Sequence, residues 1–433
     1  MTTYLRKLGL FSGTMAVVGG IIGGGIFRTP ATVAERLDSP AAVLVAWVIG
    51  GVVALIGAFC WGELGQRRPR AGGGYVYLRE TFGALPAFLY GWTLVLVIAT
   101  GAIAAVAVTF ADYTLALAGV PHRYSVPLAV AAIVLLAGIN YVGVKPAAIT
   151  QNIFTVLKLI ALATLIGAGL LVAGPAVPAV GPSGHPGGGL GAALVPILFT
   201  YGGWQQTNFI AEEIIDPERN LPRALGLGVA IVVTVYLLTN YVYLHVLGVN
   251  ALGESTAPAA DTMQRLLGPI GGKIIAAGIA LSTFGFLNLV ILVTPRVLQT
   301  MAAEGVFFQR FAALHPRFHT PSASILALAV CAVLLTLTGT FGQLVDYVTF
   351  GDWIFFGATA ASLYVYRARD LGQRRGFGVP GYPVTPALFV VAAAFVVFNS
   401  IVSNPRNAAV GASLIALGIP AFLYWRRRRP RVT

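Results

Sequence analysis

The chain has 433 residues, of which 57% are hydrophobic and only 10% charged. A soluble domain carries roughly 25% charged residues, so the composition excludes an ordinary water-facing surface. The net charge of +13 invites a nucleic-acid partner, but the placement of the cations, described below, argues against one.

Apolar residues come in runs of about twenty, the length that crosses a hydrocarbon core of about 30 Å. Barrel strands would be about ten residues long with strict alternation. Twelve runs can be drawn: 11–37, 40–65, 86–117, 124–143, 147–173, 190–214, 223–249, 270–301, 321–339, 344–366, 384–402 and 406–425. They predict an all-α integral membrane protein with twelve transmembrane helices. Arg6 and Lys7 precede the first run, but that run is long and lacks a small-residue cleavage site. The first segment is therefore expected to stay and span.

Taken in chain order, the first run carries Gly19-Gly20 and Gly23-Gly24-Gly25 at mid-membrane depth. Glycine costs a helix interior about 1 kcal/mol relative to alanine, so the cluster predicts local unwinding. Glu63 closes the second run and is expected to meet basic loops. Residues 66–85 form a cytoplasmic connector, partly helical. The third run holds Asp112, and the fifth holds Lys158. Lys158 lies twelve residues after Pro146, roughly 18 Å along a helix, which is far for snorkelling. A charge at that depth is a functional hypothesis by default; burial could also set it to cycle a proton.

Residues 174–189 are rich in Gly and Pro and predict an external loop. The sixth run is broken by Tyr201-Gly202-Gly203-Trp204. Glu212 and Glu213 follow, beside an Arg-rich connector, where solvated ion pairs are expected. His245, near the outer end of the seventh run, reads as structural. Residues 250–269 form a second external loop with short helices. Asp346 and Asp352 in the tenth run join Asp112 as candidate gate or coupling groups. Cys60 and Cys331 read as buried small hydrophobes, and no His and Cys cluster has metal-site spacing. No metal and no cofactor is expected.

With the N-terminus inside, the cytoplasmic segments take Arg67, Arg68, Arg70, Arg79, Lys145, Arg219, Arg223, Arg310, Arg317, Arg367, Arg369, Arg374, Arg375 and Arg426 to Arg429. Arg36, Arg123, Arg265, Lys273 and Arg406 fall outside. This asymmetry follows the positive-inside rule. It predicts both termini in the cytoplasm and the basic tail against anionic headgroups, with no nucleic acid involved.

The two breaks open runs one to five and runs six to ten. Matched glycine interruptions in two halves point to an inverted-repeat transporter. The expected divisions are a cytoplasmic N-terminus (1–10), a first repeat (11–174), an external loop (175–189), a second repeat (190–367), two further helices (383–425) and a basic tail (426–433). Close packing of small residues is the structural alternative for each break taken alone. An unwound segment offers N–H groups on one side and carbonyls on the other, a pairing suited to a zwitterion. A carboxylate would sit on the N–H groups of Gly24, Gly25 and Ile26, with Gly23 in the same turn. An ammonium would sit on the carbonyls of Ile21, Ile22, Phe199 and Tyr201. Gly202, Gly203, Trp204 and Gln205 complete the expected substrate site.

The segment GGIIGGGIFRTP resembles the first-helix signature of the amino acid–polyamine–organocation superfamily, where G-S-G-I-F is usual. FTYGGWQQTNFIAEEIIDPERNLPRAL resembles the sixth helix of the L-type amino acid transporter family, and STFGFLNLVILVTPRVLQTMAAEGVFF and LHPRFHTP are similar to later segments of it. GYPVTPALFV and GIPAFLYWRRRR extend the likeness over nearly the whole chain. The resemblance implies a LeuT-type fold with a 5+5 inverted repeat, discontinuous helices 1 and 6, and transport of L-amino acids, often by exchange. It also implies that Phe199 lies over the substrate as a gate, with core packing as the alternative. Tyr201 and Trp204 read as pocket wall or packing. Lys158 would reach the unwound part of helix 1, where sodium-coupled relatives hold a cation. Ser282 and Thr283 keep a sodium-dependent mechanism open, against the argument from Lys158. Gly24 stands where the family has Ser, and Gln205 where it often has Asn. The family's human members pair with a glycoprotein through a cysteine between helices 3 and 4. Here LAGVPHRYSV has none, so no disulfide-linked heavy chain is expected.

No H-E-x-x-H, phosphate-binding loop or paired nucleophile and base is present, so an enzyme is not expected. A channel would show continuous pore-lining helices. The sequence reads as a plasma-membrane permease for neutral L-amino acids, a sodium-independent antiporter working by alternating access. A proton-coupled symporter, a cationic amino acid or polyamine antiporter and a nutrient sensor of the same fold stand as alternatives.

Overall fold

The computed structural model of the chain describes residues 3–172, 174, 189–339, 341–373 and 376–428; for 341–350 and 428 it describes the backbone alone. All but the last residue of the expected loop 175–189, and the tail beyond Arg428, lie outside the described residues. So does the side chain of Asp346.

The described residues are helical almost throughout. In chain order the helices are α1 (Leu10–Ile21), α2 (Thr29–Arg36), α3 (Pro40–Arg67), α4 (Gly74–Phe82), α5 (Ala84–Thr93), α6 (Thr100–Ala118), α7 (Ser125–Val142), α8 (Val144–Leu171) and α9 (Gly189–Thr200). They continue with α10 (Pro217–Glu254), α11 (Pro258–Leu267), α12 (Pro269–Ala303), α13 (Ser322–Thr338), α14 (Phe341–Ala368), α15 (Val384–Ser403), α16 (Pro405–Ala416) and α17 (Gly418–Arg428). A π-helical turn, Leu94–Ala99, joins α5 to α6.

Among the described residues, eight helical stretches are long and apolar enough to cross a membrane, and α1 and α13 are apolar but shorter. The chain is a multi-pass, all-helical membrane protein. Helices suit that setting because every backbone N–H finds its carbonyl within the segment. Each of the twelve runs drawn from sequence coincides with one helix or with a pair of consecutive shorter helices. The connector at 66–85 contains α4, and the segment at 250–269 contains α11. α3 begins in the manner its sequence dictates, with the Ser39 side chain accepting from the Ala42 N–H and Pro40 in the first turn.

Two expectations are corrected. Cys60 is buried, but Cys331 is exposed on α13; a thiol is apolar enough to sit on the outside of an apolar helix. Glu213 is not a solvated surface anion. It is buried and bidentate to the equally buried Arg296 of α12, at 2.9 and 3.1 Å. Hydropathy could not expose this, because Arg296 sits alone in an apolar helix and its partner comes from a distant segment.

At the same end of the bundle Glu63 meets basic groups, as expected. Its carboxylate accepts from Arg67 (3.1 Å), from Arg367 (2.8 and 2.5 Å) and from the Val379 N–H (2.7 Å). Arg68 pairs with Glu80, and Arg79 with Glu304. The first residues cross this end as a strap. Lys7 and Leu8 donate N–H groups to the Glu213 carbonyl, and Ile215 donates back to Leu8. The Tyr4 ring lies 5.9 Å from the Arg296 guanidinium.

Candidate functional site

The helix that begins at Leu10 stops at Ile21, and a 3-10 turn, Gly25–Phe27, leads into α2. The unwound part is thus Ile22 to Gly24. Gly19 and Gly20 remain helical, which divides the glycines by task. A methyl on Gly19 would lie 2.0 Å from Gln151 Nε2, and one on Gly20 would lie 2.9 Å from the Gly203 carbonyl oxygen. These two allow close approach, whereas Gly23 to Gly25 accompany the break. In the second interrupted helix α9 ends at Thr200, Tyr201 to Gly203 are irregular, and a 3-10 segment, Trp204–Glu213, follows. Gly203 has φ +120°, a conformation few L-residues adopt.

The fold brings the two breaks together. A methyl on Gly203 would fall 2.1 Å from the Gly20 carbonyl oxygen, and one on Gly25 would fall 2.8 Å from Thr200 Cγ2. Thr200 also donates its hydroxyl to Thr29 at 2.8 Å. Tyr236 of α10 joins both segments. Its hydroxyl lies 3.1 Å from the Ile21 carbonyl oxygen and 3.5 Å from that of Thr200.

Lys158 is buried and sits at the first break. Its Nζ donates to the Ile22 carbonyl at 2.6 Å and to the Gly19 carbonyl at 3.3 Å. Ser282 of α12 donates to the Ile22 and Gly23 carbonyls, at 3.3 and 3.1 Å. Thr283 instead bonds within its own helix, to Ile279 and Ala280. The Lys158 amine and the Ser282 hydroxyl therefore occupy the carbonyl end of the unwound segment.

The N–H end is open. Phe27 and Arg28 donate to the Gly24 and Gly25 carbonyls. The N–H groups of Gly24, Gly25 and Ile26 come ahead of those first helical bonds, the position left unpaired at a helix start. Gly24 is exposed, with nothing within 4 Å of where a Cβ would stand. The position has room for the serine that the resembling signature carries.

Three of the four carbonyls expected to receive an ammonium, those of Ile21, Ile22 and Phe199, are engaged. Ile21 accepts from Tyr236 and from the Gly23 N–H, Ile22 from Lys158 and Ser282, and Phe199 from the Gly202 N–H. A carbonyl has two lone pairs, so a ligand ammonium must displace one of these donors at Ile21 or Ile22. Phe199 is 44% exposed, a side chain free of the packed core. Tyr201 and Trp204 are buried among aromatic rings. Tyr201 lies 5.6 Å from Trp47 and 5.1 Å from Tyr236, and Trp204 lies 6.0 Å from Phe356 and 6.4 Å from Trp61. Gln205 caps the break, its Oε1 accepting from the Gly203 N–H at 3.0 Å.

Other polar candidates separate from this centre. Asp112 pairs with His122 at 2.9 Å and accepts from Ser125 at 2.5 Å, beside the α6–α7 turn. His245 stacks on Tyr241 and lies 3.1 Å from the Gly174 carbonyl oxygen. Asp352 is half-buried on α14, one turn before Phe355 and Phe356, which pack on Tyr90 and Trp204.

Sequence reasoning missed Tyr236 and a buried amide chain. Asn140 donates to Asn288, Asn288 to Gln151, and Gln151 to Thr155, each at 3.1 Å. Thr155 then donates to the Met15 carbonyl at 3.3 Å. The available signal was the presence of amides in apolar helices, where each must find a partner.

The chain matches the family model described as amino acid permease over residues 8–424. It is 30% identical to the serine/threonine exchanger SteT of Bacillus subtilis, over 98% of this chain and 98% of that protein. It is 33% identical to the b(0,+)-type amino acid transporter 1 of Homo sapiens, over 93% of this chain and 84% of the relative. Identity to the human Asc-type amino acid transporter 1 is 32%, over 98% of this chain and 83% of the relative.

Proposed function

Since this chain belongs to the amino acid permease family, we propose that it is a secondary transporter of neutral L-amino acids working as a sodium-independent exchanger. One observation carries the reading: two interrupted helices meet backbone to backbone, with Lys158 on the carbonyls of the first. A helix break that offers N–H groups and carbonyls suits a zwitterion without a charged side chain. Gly23, Gly24, Gly25 and Ile26 take the carboxylate. The carbonyl ends around Ile21, Ile22, Phe199 and Tyr201 take the ammonium, at Ile21 and Ile22 once a resident donor yields. Tyr201, Gly202, Gly203, Trp204 and Gln205 hold the second break in place, and Phe199 closes the path over the substrate. The exchange reading draws support from the name of the Bacillus relative, and sodium independence from the Lys158 Nζ that lies on the Ile22 carbonyl at the first break.

In this reading twelve spans form a LeuT-type fold, with residues 11–174 and 190–367 as inverted repeats. The two interrupted helices rock about the site to expose it alternately. The chain sits in the plasma membrane with both termini cytoplasmic. The α6–α7 connection contains no cysteine, so no disulfide to a heavy chain forms there. Lys158 supports a second reading, a proton-coupled symporter, because a buried amine that can change charge can couple a proton to helix movement.

Uptake of labelled L-amino acids into proteoliposomes tests both. Exchange predicts accumulation only into vesicles loaded with unlabelled amino acid, with or without sodium. Accumulation in empty vesicles driven by a pH gradient would replace exchange with proton symport. No uptake of any amino acid under either condition would remove the transporter reading.

A further inference from the structure

We propose that the end of α17 builds a site for an anionic phospholipid, distinct from the substrate site and independent of any reading of it. A cavity of about 310 Å³ opens between α17, the α4–α5 turn and the segment after α12. Phe82, Ala84, Leu85, Pro86, Val306 and Phe422 line it, with Arg426 at its polar side. A second depression, about 450 Å³, flanks the same helix, lined by Pro420, Leu423 and Tyr424 with Arg427 at its polar side. Both volumes fall in the range of ligand sites, about 300–1,000 Å³.

The charge pattern selects the occupant. Arg426 and Arg427 are exposed, and no carboxylate among the described residues lies within 4 Å of either. Nearby acids are already committed, Glu304 to Arg79 and Glu80 to Arg68. Two unpaired guanidiniums beside apolar hollows call for a ligand with an anionic head and an apolar body, and guanidinium matches phosphate by bidentate hydrogen bonding. The hollows also lie in a membrane-interface setting. Trp425 packs at a tilt on Phe307 at 6.0 Å and edge-on against Phe308 at 4.6 Å, and aromatic rings gather where hydrocarbon meets headgroups. Annular lipid covers any apolar helix. What distinguishes this place is a concave apolar wall joined to exposed positive charge with no carboxylate partner among the described residues.

The test uses the full chain, purified in detergent, with retained lipid read by native mass spectrometry. Phosphatidylglycerol, phosphatidylcholine of the same chains and soluble glycerol 3-phosphate are titrated separately. Phosphatidylglycerol is expected to be retained over phosphatidylcholine. Arg426→Ala with Arg427→Ala should weaken it about thirtyfold, or about 2 kcal/mol, as expected for two arginines at an anionic surface. Ala84→Phe, which fills the first hollow and keeps both arginines, should weaken it as well, and Arg123→Ala at the α6–α7 turn should not. Equal retention of the two lipids, or unchanged affinity in either the double arginine variant or Ala84→Phe, would overturn the proposal. Competition by glycerol 3-phosphate at the same concentration would identify a free-anion site and overturn the lipid assignment.

Discussion

Two glycines, one in each break, should respond in opposite ways to the same added methyl. At Gly203 an alanine meets two penalties. The φ of +120° is strained for an L-residue, costing about 1–3 kcal/mol. The new Cβ would also stand 2.1 Å from the Gly20 carbonyl oxygen. That atom is backbone and cannot rotate away, so the two helices must separate, an overpacking cost of about 1–3 kcal/mol. The sum, about 2–6 kcal/mol, is large against the 5–15 kcal/mol typical of folded domains. At Gly24 the backbone is near φ −89°, ψ −14°, and a Cβ meets open space. Alanine there restricts the unfolded chain and adds about 0.4–1 kcal/mol. Thermal unfolding of both variants in detergent, measured side by side, decides the matter. Gly203→Ala should lower Tm clearly, while Gly24→Ala should hold or raise it. Equal Tm values for the two variants would refute the close approach of the breaks.

Three further outcomes follow from the same geometry. Lys158→Met strips the Ile22 and Gly19 carbonyls of a donor, at about 1–3 kcal/mol each, but relieves a buried ammonium whose desolvation costs several kcal/mol. Thermal stability should therefore change little while uptake falls, and unchanged rates with an unchanged pH profile would remove Lys158 from coupling. Glu213→Gln leaves the buried Arg296 without its counter-ion and should destabilise by about 3–5 kcal/mol. Adding Arg296→Met should recover much of that loss in the same unfolding assay, and failure to recover would mean that the pair is not acting as a unit. Gly25→Leu drives a side chain into Thr200 at the junction of the breaks. Binding of labelled substrate to the folded variant should be lost, and normal uptake by it would refute the placement of the site.

Periodicity and composition were enough to locate the helices, because an apolar run of about twenty residues has few stable alternatives in lipid. They also located both breaks, since clustered glycines at mid-run weaken a helix wherever it packs. The place of Lys158 along its helix was legible too, as rise per residue fixes position along a helix. What the runs could not say is which residues meet. The close approach of Gly20 to Gly203, the bond from Lys158 to Ile22, the Tyr236 hydroxyl between the two segments and the burial of Glu213 against Arg296 all join residues far apart in the chain. Even the division of labour within GGIIGGG, with Gly19 and Gly20 packing and Gly23 to Gly25 accompanying the break, depends on neighbours supplied by α8, α9 and the segment after it. A local pattern sets which helices exist and where they weaken; the partner of each polar group inside them is set by packing, because in an apolar medium every such group must find one and only the tertiary structure decides which is within reach.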